Sequence, residues 1–302
     1  MRRCAFLTLS DPSDFFIDDE HAYAPLSALG WDVDAVPWDR ADINWDMYDA
    51  VVIRSPWDYQ NRPEDFVAVL ERIEASDTHL YNDVEIVLWN LQKTYLRELA
   101  EWGVPIVPTV WQDRLPAGGL RELFDAVETQ VDGADDIDEI VVKPVISANA
   151  DGAFRLTRDP SGDRLQELEA YYGNRALMAQ PFVPSVIEEG EFSLFYFEDR
   201  HCHSILKTPK RNDFRVQEEH GGQITAVEAD EQLIAVGAVT MAALDRTLLY
   251  ARADFVRCPQ EAGYWLMEFE LIEPALYLRM DPDAPTRFAT ALDERVARDD
   301  KR

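Results

Sequence analysis

The chain is expected to fold as a mixed α/β (α+β) protein. Three observations predict it: an opening strand–helix–strand pattern, a second half dominated by β-like runs, and a 47% hydrophobic content over 302 residues. A chain of this length buries a large apolar core and divides into two or three lobes. Disorder is excluded by the same content, although 29% of the residues are charged.

The elements follow in order. CAFLTL (4–9) reads as a strand, a helix runs from about His21 to Leu29 and stops at Gly30, and WDVDAVPW (31–38) and YDAVVIRS (48–55) are strands. After the polar turn SPWDYQNRPED, the segment FVAVLERIEA places Phe66, Val69, Leu70 and Ile73 on one helical face. HLYND (79–83) is a short strand. From Val84 to Trp102 the pattern is one helix, ended by Gly103 and Pro105, and IVPTVW (106–111) is a strand. GLRELFDAVETQV (119–131) is an amphipathic helix, followed by a solvated acidic loop, DGADDIDE. EIVVKPV and AFRLTR are strands around the loop ISANADG, and a helix at LQELEAYY leads to the strand LMAQPFV (177–183). EFSLFYF, HCHSILKT, LYARADFV and YWLMEFELI are four further β-like runs, interrupted by the helix EQLIAVGAVTMAAL. The last 20 or so residues read as a charged helix or tail without chemistry.

Acidic residues number 58 against 29 basic ones, a net charge of -29 that repels phosphate backbones and anionic lipid. Nucleic acid and membrane surfaces are therefore excluded as partners. Such a surface fits a salt-rich, halophilic cytosol, where charge is screened over roughly 3 Å at 1 M salt. Cys4, Cys202 and Cys258 form no C-x-x-C pair, so neither disulfides nor zinc are indicated. No apolar run reaches signal-peptide or membrane-span length, and a cytoplasmic location is expected.

Candidate chemistry begins with carboxylates. Asp254 on one strand and Glu268 with Glu270 on the next can converge, because strand alternation gives Glu268, Glu270 and Ile272 one face and Met267, Phe269 and Leu271 the other. Neighbouring carboxylates repel unless a cation sits between them, and a hard divalent ion is the natural mediator. The alternative is an exposed strand face on an acidic protein. The only lysines are Lys93, Lys143, Lys207, Lys210 and Lys301. Lys143 and Lys207 end apolar strands and Lys93 lies in the apolar, neutral helix VLWNLQKTYL, placements that suit point-charge contacts with phosphate oxygens.

In order along the chain, VVKP, MAQPFVPSVIEEGEFSLFYF, ILKTPKRNDFRVQEEHGG, ARADFV and LMEFELIEP resemble the ATP-grasp ligases, in the branch of glutathione synthetase and the ribosomal-protein glutamate ligases. The tract from RSPWDY through WNLQKTYL to DFRVQEEHGG is more similar still to the group containing the D-cycloserine-forming cyclo-ligase. The resemblance implies a Rossmann-like N-terminal substrate lobe (1–84), a smaller nucleotide-binding lobe (85–180) and a C-terminal lobe with the metal and catalytic groups (181–302), the last two enclosing ATP. It implies that Lys93 and Lys143 meet the α- and β-phosphates, that Gln180 and the backbone at Phe182 and Val183 read adenine, and that Glu191 accepts from the ribose. Asp254, Glu268 and Glu270 match the ligands of Mg²⁺, with Mn²⁺ admissible. The family often has Asn at the third place, and a Glu there leaves one metal and two as alternatives. Lys207, Arg215 and Arg252 match groups that steady the γ-phosphate and the tetrahedral intermediate. For Arg215 a salt bridge to Glu218 or Glu219 is the alternative. The lid loop VISANADGAF departs from the family in having only Gly152, with Ser147, Ala148 and Ala150 as small residues and Ser147 as the phosphate contact.

In the N-terminal lobe, Arg54 at the end of a buried-looking strand is a candidate for a substrate carboxylate, with Trp57 or Tyr59 walling the pocket; a capped helix start with aromatic packing is the alternative. Trp89 and Asn90 are read as lobe packing, and His201, His203 and His220 are given no metal. The expected function is an ATP- and Mg²⁺-dependent carboxylate–amine ligase. It would act through an acyl phosphate on an amino-acid or peptide-like molecule, with ring closure within one molecule admitted. The alternatives are a non-catalytic ATP-binding regulatory protein and a phosphotransferase that does not ligate. A homodimer is admitted as a partner.

Overall fold

The computed structural model describes residues 1–131, 137–147, 151–211, 213–259 and 262–301. Most of the acidic loop after residue 131, together with Ala148 and Ala150, lies outside them. Within the described residues no helix is long and apolar enough to cross a membrane.

The N-terminal lobe comprises β1 (Arg2–Thr8), α1 (Tyr23–Ala28), β2 (Trp31–Pro37), β3 (Ala50–Ser55), α2 (Pro63–Glu74) and β4 (His79–Tyr81). The strands form a parallel sheet in the order β2-β1-β3-β4. All six residues of β3 are buried, as a strand covered on both faces must be. Phe66, Val69, Leu70 and Ile73 are the buried face of α2.

The stretch expected as one helix is two, α3 (Val84–Asn90) and α4 (Tyr95–Glu101). Asp83 caps the first through its side chain on the Ile86 N–H. Lys93 lies in the break, where its own N–H donates to the Val145 carbonyl at 2.8 Å. That bond to the neighbouring lobe replaces helical continuity.

The second sheet is built from β5 (Val110–Gln112), β6 (Glu139–Pro144), β7 (Phe154–Thr157) and β8 (Leu177–Pro181), antiparallel in the order β5-β8-β6-β7. Helices α5 (Gly119–Gln130) and α6 (Gly162–Tyr172) cover one face, packing Phe124, Val127 and Leu168 on Ile140, Val142 and Ala179. Alternation then turns Val141, Lys143 and Gln180 to the other face, which lines a cleft.

The third sheet is antiparallel in the order β11-β10-β9-β12-β13. After α7 (Ser185–Glu188) come β9 (Glu191–Phe197), β10 (Arg200–Thr208), β11 (Gln223–Ala226), α8 (Glu231–Ala242), β12 (Tyr250–Arg257), β13 (Tyr264–Glu270) and α9 (Ala284–Asp299). The cores cut across the expected lobe boundaries at two places. Ile86, Tyr95, Leu96 and Leu99 pack with Leu194, Phe255 and Phe269, so α3 and α4 join the C-terminal core rather than the smaller lobe. The charged terminal stretch is a core element, since α9 buries Phe288, Leu292 and Val296 with Phe6, Leu26 and Trp31 of the N-terminal lobe.

β13 departs from strict alternation. Asp254 pairs with Glu268 and Phe255 with Leu266, leaving Met267 as an extra residue in a bulge. Met267 is thereby released from the expected face of Phe269 and Leu271; it joins Val183, Val186 and Val216 in a small apolar cluster and lines the cleft.

Candidate active site

Strand register builds the charged floor of the cleft. On β9, β10, β12 and β13 the cross-strand neighbours are Lys207 and Glu191, Asp254 and Ser193, Asp254 and Glu268, and Arg252 and Glu270. Lys207 Nζ lies 3.0 Å from Glu191 Oε1 and 3.2 Å from Asp254 Oδ2. Arg252 donates to Asp254 Oδ1 at 3.1 Å and to Glu270, and Ser193 Oγ donates to Asp254 Oδ1 at 2.6 Å. Lys93 reaches across from the α3–α4 break to pair with Glu268. Asn90 clasps the strand on either side of Glu270, donating to the Phe269 carbonyl at 2.8 Å and accepting from the Leu271 N–H at 2.9 Å.

Oxygen atoms of Asp254, Glu268 and Glu270 come within 4.8 Å of one another. Three hard donors at that spacing fit Mg²⁺, and their mutual repulsion is offset here by Lys93, Lys207 and Arg252. The balance shows in their acidities. Burial pushes Asp254 up, but Arg252 and Lys207 outweigh it and hold it down at about 2. Burial also opposes ionisation of Glu268, and Lys93 with Lys143 brings it below its ordinary value. At Glu270 burial wins over Arg252, helped by Glu268 and Asp254, and the carboxyl is pushed up to about 8. Glu273, half-buried nearby, is pushed up to about 7 by desolvation, against the Tyr59 hydroxyl and Lys93.

A carboxyl raised in this way binds its proton more tightly folded than unfolded, so its contribution to stability is lost as pH rises from the unfolded value near 4.5 through the folded one. The metal-free protein should therefore melt at progressively lower temperature between about pH 4.5 and pH 8. Mg²⁺ with nucleotide should recover most of the loss at the alkaline end. A metal-free melting temperature that is flat or rising across this window would contradict the assignment of both groups.

Lys143 projects from β6 into the same cleft and has no ion-pair partner among the described residues; burial pulls its pKa down, against the attraction of Glu268. An ammonium so placed is ready for an anion. Lys143→Ala should weaken ADP binding by about 10- to 100-fold, the equivalent of one hydrogen bond to a charged group. The unliganded melting point should not fall, and calorimetry with a parallel melt checks both.

Gln180, Phe182 and Val183 line the cleft. The Phe182 N–H is already bound to the Glu139 carbonyl at 2.9 Å, and the Gln180 amide donates to Thr109 Oγ1 at 2.9 Å. The Val183 N–H is without a partner among the described residues. Ser147 lines the cleft as well.

Two expectations change. Arg215 lines the cleft but is fastened to Asp213, at 3.1 Å from Nε and 2.9 Å from NH2, rather than to Glu218 or Glu219. Two residues of separation in a turn give the closer fork. Arg54 is 1% exposed and absent from the cleft lining; its Nε meets Asp19 at 3.0 Å and its NH2 donates to the Pro274 carbonyl at 2.9 Å. It ties the N-terminal lobe to the loop after β13 instead of facing a substrate carboxylate. Trp57 does wall the cleft, with its Nε1 on the Glu273 carbonyl at 2.9 Å. His201 and His203 do not share a face, because β10 is bulged between them, and His203 stacks on Phe195.

Sequence reasoning passed over Ser193, Gln217 and Glu273. Ser193 lies two residues after Glu191 and so shares its face, a signal that was available. Gln217 and Glu273 sit in loops, where no periodicity marks them.

Residues 4–82 match the family model described as the D-cycloserine synthetase DcsG N-terminal domain, and residues 126–256 match the prokaryotic glutathione synthetase ATP-grasp domain. The chain is 33% identical over 278 residues to the cycloserine biosynthesis protein DcsG of Streptomyces lavendulae, covering 89% of this chain and 90% of that one. The crystal structure of D-cycloserine synthetase DcsG superposes with a TM-score of 0.80 at 30% identity, covering 97% of this chain and 99% of the other. The ATP-grasp ligase PsnB in complex with a minimal precursor shares the fold at a TM-score of 0.64 and 16% identity, covering 97% and 98%.

Proposed function

Since the chain belongs to the ATP-grasp superfamily, in the D-cycloserine synthetase group, and is an ATP- and Mg²⁺-dependent ligase joining a carboxylate to an amine, we propose that it closes a ring within one amino-acid-like molecule. The observation that supports ring closure most is the identity to the cyclo-ligase over nine-tenths of its length. Membership of a ligase group sets aside the non-catalytic nucleotide binder.

In this reading the adenine lies against Val183, Val186, Val216 and Met267, with the Val183 N–H as its donor and Glu191 near the ribose. Lys93 and Lys143 hold the α- and β-phosphates, and Ser147 approaches them from the lid. Asp254, Glu268 and Glu270 hold Mg²⁺, which when bound neutralises phosphate charge. The substrate carboxylate takes the γ-phosphoryl group and ADP leaves. Attack of the amine on the acyl phosphate then forms the amide, displacing inorganic phosphate and releasing one proton. Negative charge grows on the acyl oxygen during that attack. Lys207 and Arg252, already fixed by Asp254, answer it without reorganising, and Arg215 adds a third cation from its loop. Holding both ends of one molecule in a single cleft supplies the intramolecular advantage.

Incubation with ATP, Mg²⁺ and O-ureidoserine, followed by mass spectrometry, tests the reading. A cyclic product formed with one ADP per turnover supports it. A conjugate of two molecules would show that the ligase works between molecules, and a stable phosphorylated product would show phosphotransfer without ligation.

A further inference from the structure

The cations of the cleft are almost all engaged with the protein's own acids. Lys93 pairs with Glu268, Lys207 with Glu191 and Asp254, Arg252 with Asp254 and Glu270, and Arg215 with Asp213. Arg54 is outside the lining altogether. Beside Trp57 of the N-terminal lobe the cleft instead presents an acceptor, Glu273. Glu273 has no ion-pair partner among the described residues, and its carboxylate meets the Tyr59 hydroxyl. Gln217 also lines the cleft, its Oε1 buried without a hydrogen bond among the described residues. Trp57 and Tyr59 stand beside Glu273 as aromatic walls.

Glu273 is held by its main chain. Its carbonyl takes the Trp57 indole N–H, and the next carbonyl, at Pro274, takes Arg54. The carboxylate therefore projects from a fixed loop. A half-buried carboxylate that no cation contacts is costly to ionise, although Lys93 and Arg252 attract it from further off, and an aromatic wall favours ammonium. Together these features describe a receptor for a positive charge, not for a carboxylate.

We infer that Glu273, walled by Trp57 and Tyr59, binds the ammonium group of an amino-acid substrate. The inference deepens the proposed function and rests on its reading that the substrate is amino-acid-like. An amino acid that closes a ring through a side-chain nitrogen carries a second, non-reacting amine on the carbon next to its carboxyl. Keeping that amine as a bound ammonium removes it as a competing nucleophile and turns the carboxyl toward the phosphates.

The test compares O-ureidoserine with its N-acetyl and des-amino derivatives on the full-length enzyme. Turnover is read as ADP release, and binding by calorimetry to the enzyme loaded with ADP and Mg²⁺. The wild type should prefer the free amine by about 30-fold in KM and Kd, and Glu273→Gln should abolish that preference while leaving the KM for ATP unchanged. Glu273→Asp should restore part of it. Tyr59→Phe, which keeps the ring but removes the hydroxyl, serves as a milder second variant with the same direction. Absence of preference in the wild type, or its full retention in Glu273→Gln with a normal melt, overturns the ammonium site. The mass of the product decides ring closure separately, so a non-cyclic product with an intact amine preference would sink the ring-closing reading alone.

Discussion

Glu268→Gln is expected to lower the ligation rate by about 10³-fold, in line with the removal of a preorganised charge from a transition-state site. Two losses combine at this position. The metal cluster falls from three carboxylates to two, and Lys93 loses the acid that sets its place across the cleft. Burial alone would depress the Lys93 ammonium, and the Glu268 carboxylate is what carries it the other way. The Mg²⁺ concentration at half-maximal rate should rise together with the fall in kcat. Circular dichroism should be unchanged, because the amide matches the carboxyl in shape and Asn90 still grips the strand on either side of Glu270. Full turnover of Glu268→Gln at ordinary Mg²⁺ would remove the metal assignment.

Arg54→Ala is expected to destabilise the protein by about 3–5 kcal/mol, the range for breaking a buried pair from one side. Asp19, itself buried, would be left without its partner, and the Pro274 carbonyl without a donor. The double variant with Asp19→Asn should recover part of the loss, since no uncompensated charge then remains. Chemical denaturation of the single and double variants measures both. A single variant as stable as wild type would show that the pair is not integral to the lobe contact.

The fold was legible wherever periodicity is strong. The strands that carry the site were read from apolar runs, and alternation put Glu268 and Glu270 on one face; their meeting with Asp254 stood against the alternative of an exposed strand face, and the strand register brings the three together. What escaped were breaks in period and contacts between distant segments. The bond from the Lys93 N–H to Val145 splits a helix that local pattern makes continuous. The Met267 bulge shifts one residue to the other face with no mark in composition. Arg54 was misread for a related reason: a strand-end arginine looks alike from the sequence whether it meets a substrate or a buried acid, and only the fold brings Asp19 and Pro274 to it.

Two of the bonds that reach from the N-terminal lobe to the loop after β13, those from Trp57 and Arg54, end on main-chain carbonyls, of Glu273 and Pro274. Every amino acid supplies a carbonyl, so these two bonds survive a change of side chain at position 273, which gives up the contact with the Tyr59 hydroxyl. The geometry of that loop can be inherited unchanged while its chemical taste drifts, and relatives that differ there are free to accept differently charged molecules without rebuilding the clamp.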